Sequence, residues 1–181
     1  EFIKDAAIQA VKDNWNSYSP VDGYADLKEA ICQKFKRDNG LDYKPSQVVV
    51  STGAKQSIAN LCMVLLDPGD EVLLPAPYWV SYSAIATLAE AKSIIIPSSI
   101  ETDFKITPEQ LEAAITPKTK LIMFNSPNNP SGTIYTEAEY RALGKVLEKH
   151  TDIYILSDEI YEHINYGTAH FSIAAIPELY D

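Results

Sequence analysis

Strand patterns and helix patterns alternate along nearly the whole chain, and this alternation limits the fold more than any other feature. Between positions 24 and 39 apolar residues recur at helical spacing, and Asn39-Gly40 supplies a helix stop. The stretch 47–51 holds three consecutive valines, which is typical of a strand buried on both faces. Further strands are predicted at 71–74, 93–96, 120–124 and 153–156, and further helices at 54–66, 78–89, 136–150 and from Thr107 onward. Repeated strand–helix units predict an α/β fold of three layers, α/β/α, with a mostly parallel sheet.

Length and charge narrow the range of functions. A chain of 181 residues is long enough for one ordinary α/β domain with its own core. The formal net charge of −10 is spread along the sequence, which argues against nucleic acid or an anionic membrane as a partner. No run approaches the roughly 18 consecutive apolar residues that a membrane-spanning helix requires. We therefore expect a soluble, cytoplasmic protein.

The cysteines and histidines show no metal-binding pattern. Cys32 and Cys62 lie within helical patterns among apolar neighbours, so we expect both to be reduced core residues. His163 and His170 have no second ligand pair at helical spacing and no Cys-x-x-Cys nearby. We therefore predict that the chain has no metal site.

Three segments that follow predicted strands are the candidate site, because parallel sheets bind ligands beyond the carboxyl ends of their strands. Ser51 to Gln56 leads from the valine strand into a helix, and a glycine before the free N–H groups of a helix favours a phosphate. Asn125 to Gly132 is rich in asparagine and proline, and Ser157 to Tyr161 carries carboxylates and a tyrosine hydroxyl. Each segment alone is equally consistent with a plain structural role: a glycine turn, an asparagine turn or an exposed cap.

Together these segments resemble a known family. Gly53-Ala54-Lys55-Gln56, Pro77-Tyr78-Trp79-Val80-Ser81-Tyr82, Asn125 to Gly132 and Ser157 to Glu162 are similar, in order and spacing, to the fold-type I pyridoxal-phosphate-dependent aminotransferases. The resemblance is strongest to the aspartate aminotransferase class, in the branch of bacterial aspartate and prephenate aminotransferases. It covers essentially the whole chain. The family's reaction uses α-amino acids and 2-oxo acids as substrates.

The resemblance implies a role for particular residues. Asp158 matches the aspartate that pairs with the pyridine nitrogen of pyridoxal 5′-phosphate and keeps it protonated. Tyr161 and Asn129 match the donors to the ring's 3′-oxygen, and Asn129 also matches a contact to the substrate's carboxylate. Trp79 matches the aromatic residue that stacks on the cofactor ring beside the substrate; its alternative is a plain core residue.

Two further matches concern the cofactor's phosphate. The backbone of Gly53, Ala54 and Lys55 matches the family's phosphate cup, which makes the N–H groups, rather than the Lys55 ammonium, the expected ligands. Tyr18 matches the tyrosine that reaches the phosphate of the partner subunit's cofactor. That match implies a homodimer with shared active sites; the alternative is a tyrosine that merely precedes the turn at Pro20.

Two residues that the family carries beyond the segment Ser157 to Glu162 are missing from the sequence. The Schiff-base lysine and the arginine that binds the substrate's α-carboxylate come later in the family, and no lysine follows Asp158 here. We therefore expect residues 1–181 to be a fragment, the central part of the large cofactor-binding domain, without the small domain. Such a fragment alone would contain no catalytic residue and would be inactive. A carbon–sulfur lyase or other eliminating enzyme, a non-catalytic remnant and a transcriptional regulator remain alternatives for the parent.

Overall fold

The computed structural model describes residues 1–167 and 169–180, and in that part of the chain helices and strands alternate. The helices are α1 (Phe2–Lys12), α2 (Ala25–Lys34), α3 (Ala54–Leu65), α4 (Ser81–Leu88), α5 (Pro108–Ala114) and α6 (Glu137–Leu147). The strands are β1 (Glu71–Pro75), β2 (Lys92–Ile96), β3 (Thr119–Asn125) and β4 (Tyr154–Asp158). No helix among these has the length and apolar character needed to cross a lipid bilayer.

Two helices begin where their capping sequences predict. The hydroxyl of Thr107 accepts a hydrogen bond of 3.3 Å from the Gln110 N–H, and the Gln110 side chain accepts one of 2.9 Å from the Thr107 N–H. Thr136 and Glu139 form the same reciprocal pair at the start of α6. Each pair satisfies N–H groups that a helix start leaves without a partner.

The four strands form one parallel sheet with the order β2-β1-β3-β4. The chain therefore proceeds from β1 outward to β2 and then returns to the other side of β1 to form β3. This change of direction creates a crevice at the carboxyl ends of β1 and β3, which is where open α/β sheets bind ligands. The fold thus fixes the position of a site before any side chain is considered.

Two apolar clusters cover the two faces of the sheet, as the predicted three-layer α/β/α architecture requires. One packs α3 and α4 against residues such as Val72, Leu74 and Met123. The other packs α5 and α6 against the alternate residues of the strands, including Leu73 and Phe124. Since successive side chains of a strand point to opposite faces, both β1 and β3 are buried on both sides.

The predicted valine strand at 47–51 is wrong. Gln47 ends a short 3-10 helix, residues 48–51 pair with no strand in the described part of the chain, and Val49 is 67% exposed. The segment packs instead on the loop before α2: the Val50 N–H donates to the Asp22 carbonyl at 3.0 Å. A Cβ at Gly23 would lie 2.5 Å from Val50 Cγ2, so only glycine permits this approach.

The helix predicted from position 78 begins later, at Ser81. The backbone before it is held by neighbouring elements: the Ala76 N–H donates to the Ile96 carbonyl at 2.9 Å, and the Asn128 amide donates to the Pro77 carbonyl at 3.2 Å. These contacts keep residues 76–79 outside the helix and direct them across the end of the sheet.

Of the two cysteines, Cys62 is fully buried, and burial raises the pKa of its thiol to about 11, whereas Cys32 is half-buried.

Candidate functional site

A cavity of about 190 Å³ lies at the carboxyl ends of β1, β3 and β4. Its walls come from the segments that follow these strands and from the first residue of α3. The lining residues are Ala54, Trp79, Tyr82, Asn125, Asn129, Asp158, Ile160 and Tyr161. Five of the eight site residues predicted from the sequence therefore line one cavity. The other three lining residues are Tyr82, Asn125 and Ile160.

A larger groove of about 570 Å³ adjoins this cavity between α2, α3 and the end of β4. Most of its lining is apolar, and it shares Ala54, Asp158 and Ile160 with the smaller cavity. The polar groups that can orient a ligand converge in the smaller cavity, so we assign the candidate site there.

The Asp158 carboxylate is held by two donors. The hydroxyl of Tyr82 donates to Asp158 Oδ2 at 2.7 Å, and the backbone N–H of Ile160 donates to Oδ1 at 3.2 Å. Tyr82 is only 1% exposed, and burial, followed by the hydrogen bond to Asp158, raises the pKa of its phenol. Tyr82 therefore stays protonated and serves as a fixed donor to this carboxylate.

Asn125 joins the ends of β3 and β4. Its amide donates to the Asp158 carbonyl at 2.9 Å, while its oxygen accepts the Asn129 N–H at 2.7 Å. The Ser126 N–H also donates to the Asp158 carbonyl, at 3.2 Å. One side chain thus satisfies backbone groups on both segments and sets the distance between Asp158 and Asn129.

Asn129 and Tyr161 meet across the cavity. The Asn129 amide donates to the Tyr161 hydroxyl oxygen at 3.4 Å, which leaves the tyrosine's own O–H free to donate to a ligand. The neighbouring Asn128 accepts two hydrogen bonds from Ser131 and donates one to the Pro77 carbonyl. The asparagine loop is therefore tied both to itself and to the segment that carries Trp79.

Trp79 is half-buried and presents its ring to the cavity. The ring meets that of Tyr82 edge-on, with centroids 5.6 Å apart and planes at 87°. The Lys55 ammonium lies 4.8 Å from the indole centroid, within the range of a cation–π contact. Through Tyr82, the aromatic wall and the Asp158 carboxylate are held as one packed unit.

Gly53 precedes α3 and turns the chain sharply into the helix. Its φ of +90° is a conformation that glycine adopts without strain, and a Cβ there would face open space. The first N–H groups of a helix have no intrahelical partner, and here they follow a residue without a side chain. Ala54 lines the cavity, which places this helix start beside Trp79 and Asp158.

Tyr18 lies apart from the other nominated residues. Its side chain is fully exposed, and it does not line the cavity. It belongs to a stretch from Asp13 to Val21 in which every residue is exposed. The role in a partner subunit's site stays a prediction.

Sequence reasoning missed three members of the site and one polar cluster beside it. The three members are Tyr82, Asn125 and Ile160, and each lies in a segment that the sequence analysis had already singled out. The cluster comprises Glu159, Glu162 and His170, whose ligand-type atoms lie within 4.8 Å of one another. Neither helical nor strand spacing predicts the approach of His170 to Glu159 from eleven positions away.

The sequence of this chain is similar to those of known proteins. The family model for aminotransferases of class I and II matches residues 1–180. An aspartate/prephenate aminotransferase of Nitrosomonas europaea is 53% identical over 162 residues, which are 90% of this chain and 41% of that protein. An aspartate aminotransferase of Bacillus subtilis is 49% identical over 179 residues, 98% of this chain and 45% of that protein. The chain thus spans less than half the length of these relatives.

Solved structures show the same likeness. The aspartate aminotransferase of Rhizobium meliloti superposes with a TM-score of 0.96 at 45% identity, over 98% of this chain and 45% of that one. The Thermus thermophilus aspartate aminotransferase with maleate superposes with a TM-score of 0.92 at 41% identity, over 96% of this chain and 45% of that one.

Proposed function

The chain belongs to the aminotransferase class I and II family, and we propose that the protein to which it belongs transfers an amino group from an α-amino acid to a 2-oxo acid with pyridoxal 5′-phosphate as cofactor. Because the chain spans less than half the length of its relatives, the activity is assigned to the whole protein. The observation that carries the proposal is the convergence of Asp158, Asn129, Tyr161 and Trp79 on one cavity.

The relatives suggest the substrates. Relatives that are 49–53% identical to this chain carry the names aspartate aminotransferase and aspartate/prephenate aminotransferase, so we propose aspartate as the amino donor and a 2-oxo acid such as prephenate as an acceptor. Each substrate pair exchanges an amino group for an oxo group, so one new amino acid forms for each amino donor consumed.

The donor set of the cavity fits the cofactor. A pyridoxal phosphate ring presents a basic nitrogen, an anionic oxygen and a phosphate, and it needs a carboxylate, neutral hydrogen-bond donors and backbone N–H groups in return. The cavity offers Asp158, then Tyr161 with Asn129, and then the start of α3 after Gly53. When bound, the cofactor supplies an electron-withdrawing ring that accepts charge from the substrate's α-carbon.

Asp158 is the residue that would hold a proton on the ring nitrogen. Its carboxylate already receives the Tyr82 hydroxyl and the Ile160 N–H, which orient it toward the cavity. A carboxylate within hydrogen-bonding distance favours the protonated form of the nitrogen, and the protonated ring withdraws electrons best.

Asn129, Tyr161 and Trp79 orient the ring. The Tyr161 hydroxyl and the Asn129 amide, which meet each other across the cavity, would donate to the oxygen on the ring, and the Trp79 indole would stack on the ring. Asn129 and Trp79 also face the substrate. The Lys55 ammonium, which contacts the indole, is not assigned to the phosphate; that role belongs to the N–H groups of Gly53, Ala54 and Lys55.

Tyr18 completes the site of a second subunit in this proposal. Its fully exposed phenol, in an entirely exposed stretch, is available to reach the cofactor phosphate of a partner in a homodimer. The cytoplasmic location predicted from the sequence is part of the same proposal.

A substrate assay tests the reaction. The whole protein, loaded with pyridoxal 5′-phosphate, is given aspartate and a series of 2-oxo acids, and the amino acids formed are measured by mass spectrometry. We expect one amino acid per aspartate consumed. Release of ammonia without a new amino acid would favour the lyase alternative, and absence of any turnover would favour a non-catalytic remnant.

A variant tests the assigned role of Asp158. We expect Asp158→Ala to retain cofactor but to lower turnover at least about 100-fold, because a charged hydrogen-bond partner is lost. A cofactor methylated on the pyridine nitrogen, which carries a permanent positive charge, should restore part of the activity. Asp152→Asn, at an exposed carboxylate before β4, is the control. Unchanged turnover in Asp158→Ala would remove the electronic role.

A further inference from the structure

The turn that carries Tyr161 has little backbone structure of its own. After β4 ends at Asp158, no helix or strand forms in residues 159–167. Two backbone hydrogen bonds shape the turn: the Glu162 N–H to the Glu159 carbonyl at 3.0 Å, and the Ile164 N–H to the Tyr161 carbonyl at 2.8 Å. The position of the Tyr161 hydroxyl beside Asn129 therefore depends on side-chain contacts that hold the turn in place.

Glu159 anchors the first end of the turn. Its Oε1 accepts the Ser157 hydroxyl at 2.8 Å and the Ser172 hydroxyl at 2.7 Å, and its Oε2 lies 3.1 Å from His170 Nε2. The side chains of Glu159 and His170 are only 15% and 9% exposed. Ser157 belongs to β4, and Ser172 is a buried residue at which the chain re-enters the core. One carboxylate thus joins both ends of the segment to packed structure.

Glu162 anchors the other side. Its Oε1 forms an ion pair with Lys34, and its Oε2 accepts the Asn39 amide at 3.2 Å. Lys34 ends α2, and Asn39 ends the short π-helix, Phe35–Asn39, that follows α2. Burial works against the charged carboxylate, but the hydrogen bonds from Lys34 and Asn39 outweigh it and lower the pKa of Glu162. This pairing ties the turn to a helix more than a hundred residues earlier in the chain.

The same contacts argue against a metal at this cluster. The atoms of Glu159, Glu162 and His170 lie close enough for a shared cation. However, the Lys34 ammonium already contacts Glu162, and the two serine hydroxyls occupy Glu159. A cation would have to displace a positive charge and three neutral donors, so the arrangement fits anchoring.

We propose that Glu159 and Glu162 are positioning residues for Tyr161. They stand two positions before it and one position after it, and neither lines the cavity. Each carboxylate fixes one side of the turn, so that the Tyr161 hydroxyl stays beside the Asn129 amide. The role of the Tyr161 hydroxyl toward a cofactor rests on the proposed function. The anchoring of the turn by the two carboxylates does not require a cofactor.

Hydrogen exchange tests the anchoring without cofactor. In the cofactor-free whole protein, we expect Glu159→Ala and Glu162→Ala to accelerate amide exchange in residues 159–167 at least about tenfold, as the loss of charged hydrogen bonds implies. Exchange in β3 should not change. Glu148→Ala, at an exposed glutamate after α6, is the control. Unchanged exchange in the turn would overturn the proposal, whether or not the protein proves to be an aminotransferase.

A gentler pair of variants covers the case in which the alanine variants fail to fold. Glu159→Gln keeps an acceptor for both serines. Glu162→Gln keeps an acceptor for Asn39 but loses the attraction to the Lys34 ammonium. We expect exchange rates between those of the wild type and the alanine variants. Glutamine variants that exchange as fast as the alanine variants would contradict the part assigned to the neutral hydrogen bonds.

A double-mutant cycle tests whether the anchors act through Tyr161. The readout is the pH midpoint of the colour change of the bound cofactor. Tyr161→Phe should raise this midpoint by about one pH unit, because an oxygen that loses a donor retains more negative charge. Glu159→Ala should raise it too, but should add nothing in the Tyr161→Phe background. Additive shifts of the pH midpoint would show that Glu159 does not act through Tyr161 and would contradict the proposal.

Discussion

The sheet and the N-terminal segment of this chain contrast sharply in how far they are packed. In β1 and β3, Leu73, Leu74 and Ile122 are completely buried. Among residues 1–53, by contrast, only Leu41 is buried, and α1 has no buried residue at all. Both regions show clear apolar patterns, so pattern alone does not determine burial. An amphipathic helix encodes which face is to be covered, but not what covers it.

The candidate site spans this contrast. Its strand-end side is held by the mutual hydrogen bonds of Tyr82, Asn125 and Asp158. Its N-terminal side consists of the helix start at Gly53, where a Cβ would face open space, while the exposed Tyr18 lies outside the cavity. The first side is organised by this chain alone, whereas the second fits the proposal of a site completed by a partner subunit.

The largest expected difference between the two regions is the loss in free energy of unfolding when a core side chain is truncated. Phe124 is 1% exposed and its ring lies 5.8 and 5.6 Å from those of Tyr135 and Tyr140. We expect Phe124→Ala to lower the free energy of unfolding by about 3–5 kcal/mol, because it removes buried contacts and leaves a cavity. Val49→Ala, in the exposed valine segment, should cost less than about 0.5 kcal/mol. Denaturant unfolding measures both, and equal losses would contradict the contrast.

A smaller effect is expected at the strand-end side of the site. Tyr82→Phe removes the hydroxyl that donates to Asp158 and changes little else. We expect the free energy of unfolding to fall by about 1.5–3 kcal/mol, the usual value for a hydrogen bond to a charged group. Tyr166→Phe, at a tyrosine that is 96% exposed, serves as the control. Identical unfolding midpoints for the two variants would show that this bond does not organise the site.

Glu162 links the two regions, and its contribution should depend on pH. Its pKa is below the ordinary value of 4.5 in the folded protein, so the folded state favours the ionised carboxylate. The stabilisation is therefore complete above pH 4.5 and is lost as the pH falls through the lowered pKa. We expect Glu162→Gln to destabilise the protein by about 1 kcal/mol at pH 7 and by progressively less below pH 4.5. A pH-independent difference would rule out the ion pair with Lys34 as its source.

The smallest effect on stability is expected at Tyr18. Tyr18→Phe should leave the unfolding midpoint unchanged, because the phenol contributes no buried contact. In the whole protein it should weaken cofactor binding, because the proposed function assigns the Tyr18 phenol as a donor to the phosphate of the partner's site. Titration with pyridoxal 5′-phosphate measures this, and unaltered affinity would argue that each subunit's site is complete without its neighbour.

Several features of the fold and site were predictable from local sequence. Thr107 and Thr136 marked helix starts because a capping box is encoded within four residues. The segments after β3 and β4 were placed at the site because parallel strands end at the same edge of a sheet. The valine segment does not form a strand because β-pairing requires a neighbouring strand. The Val50 N–H donates a hydrogen bond to the Asp22 carbonyl instead.

The sequence by itself determined the order of helices and strands from α3 to β4, the edge of the sheet that carries the site, and the residue types available there. Local periodicity and capping encode these properties within a few positions. Only the tertiary structure decided that Tyr82 donates to Asp158, 76 positions away, and that Asn39 donates to Glu162, 123 positions away. Such contacts depend on how whole elements pack, and no local pattern specifies which side chain on one element meets which on another.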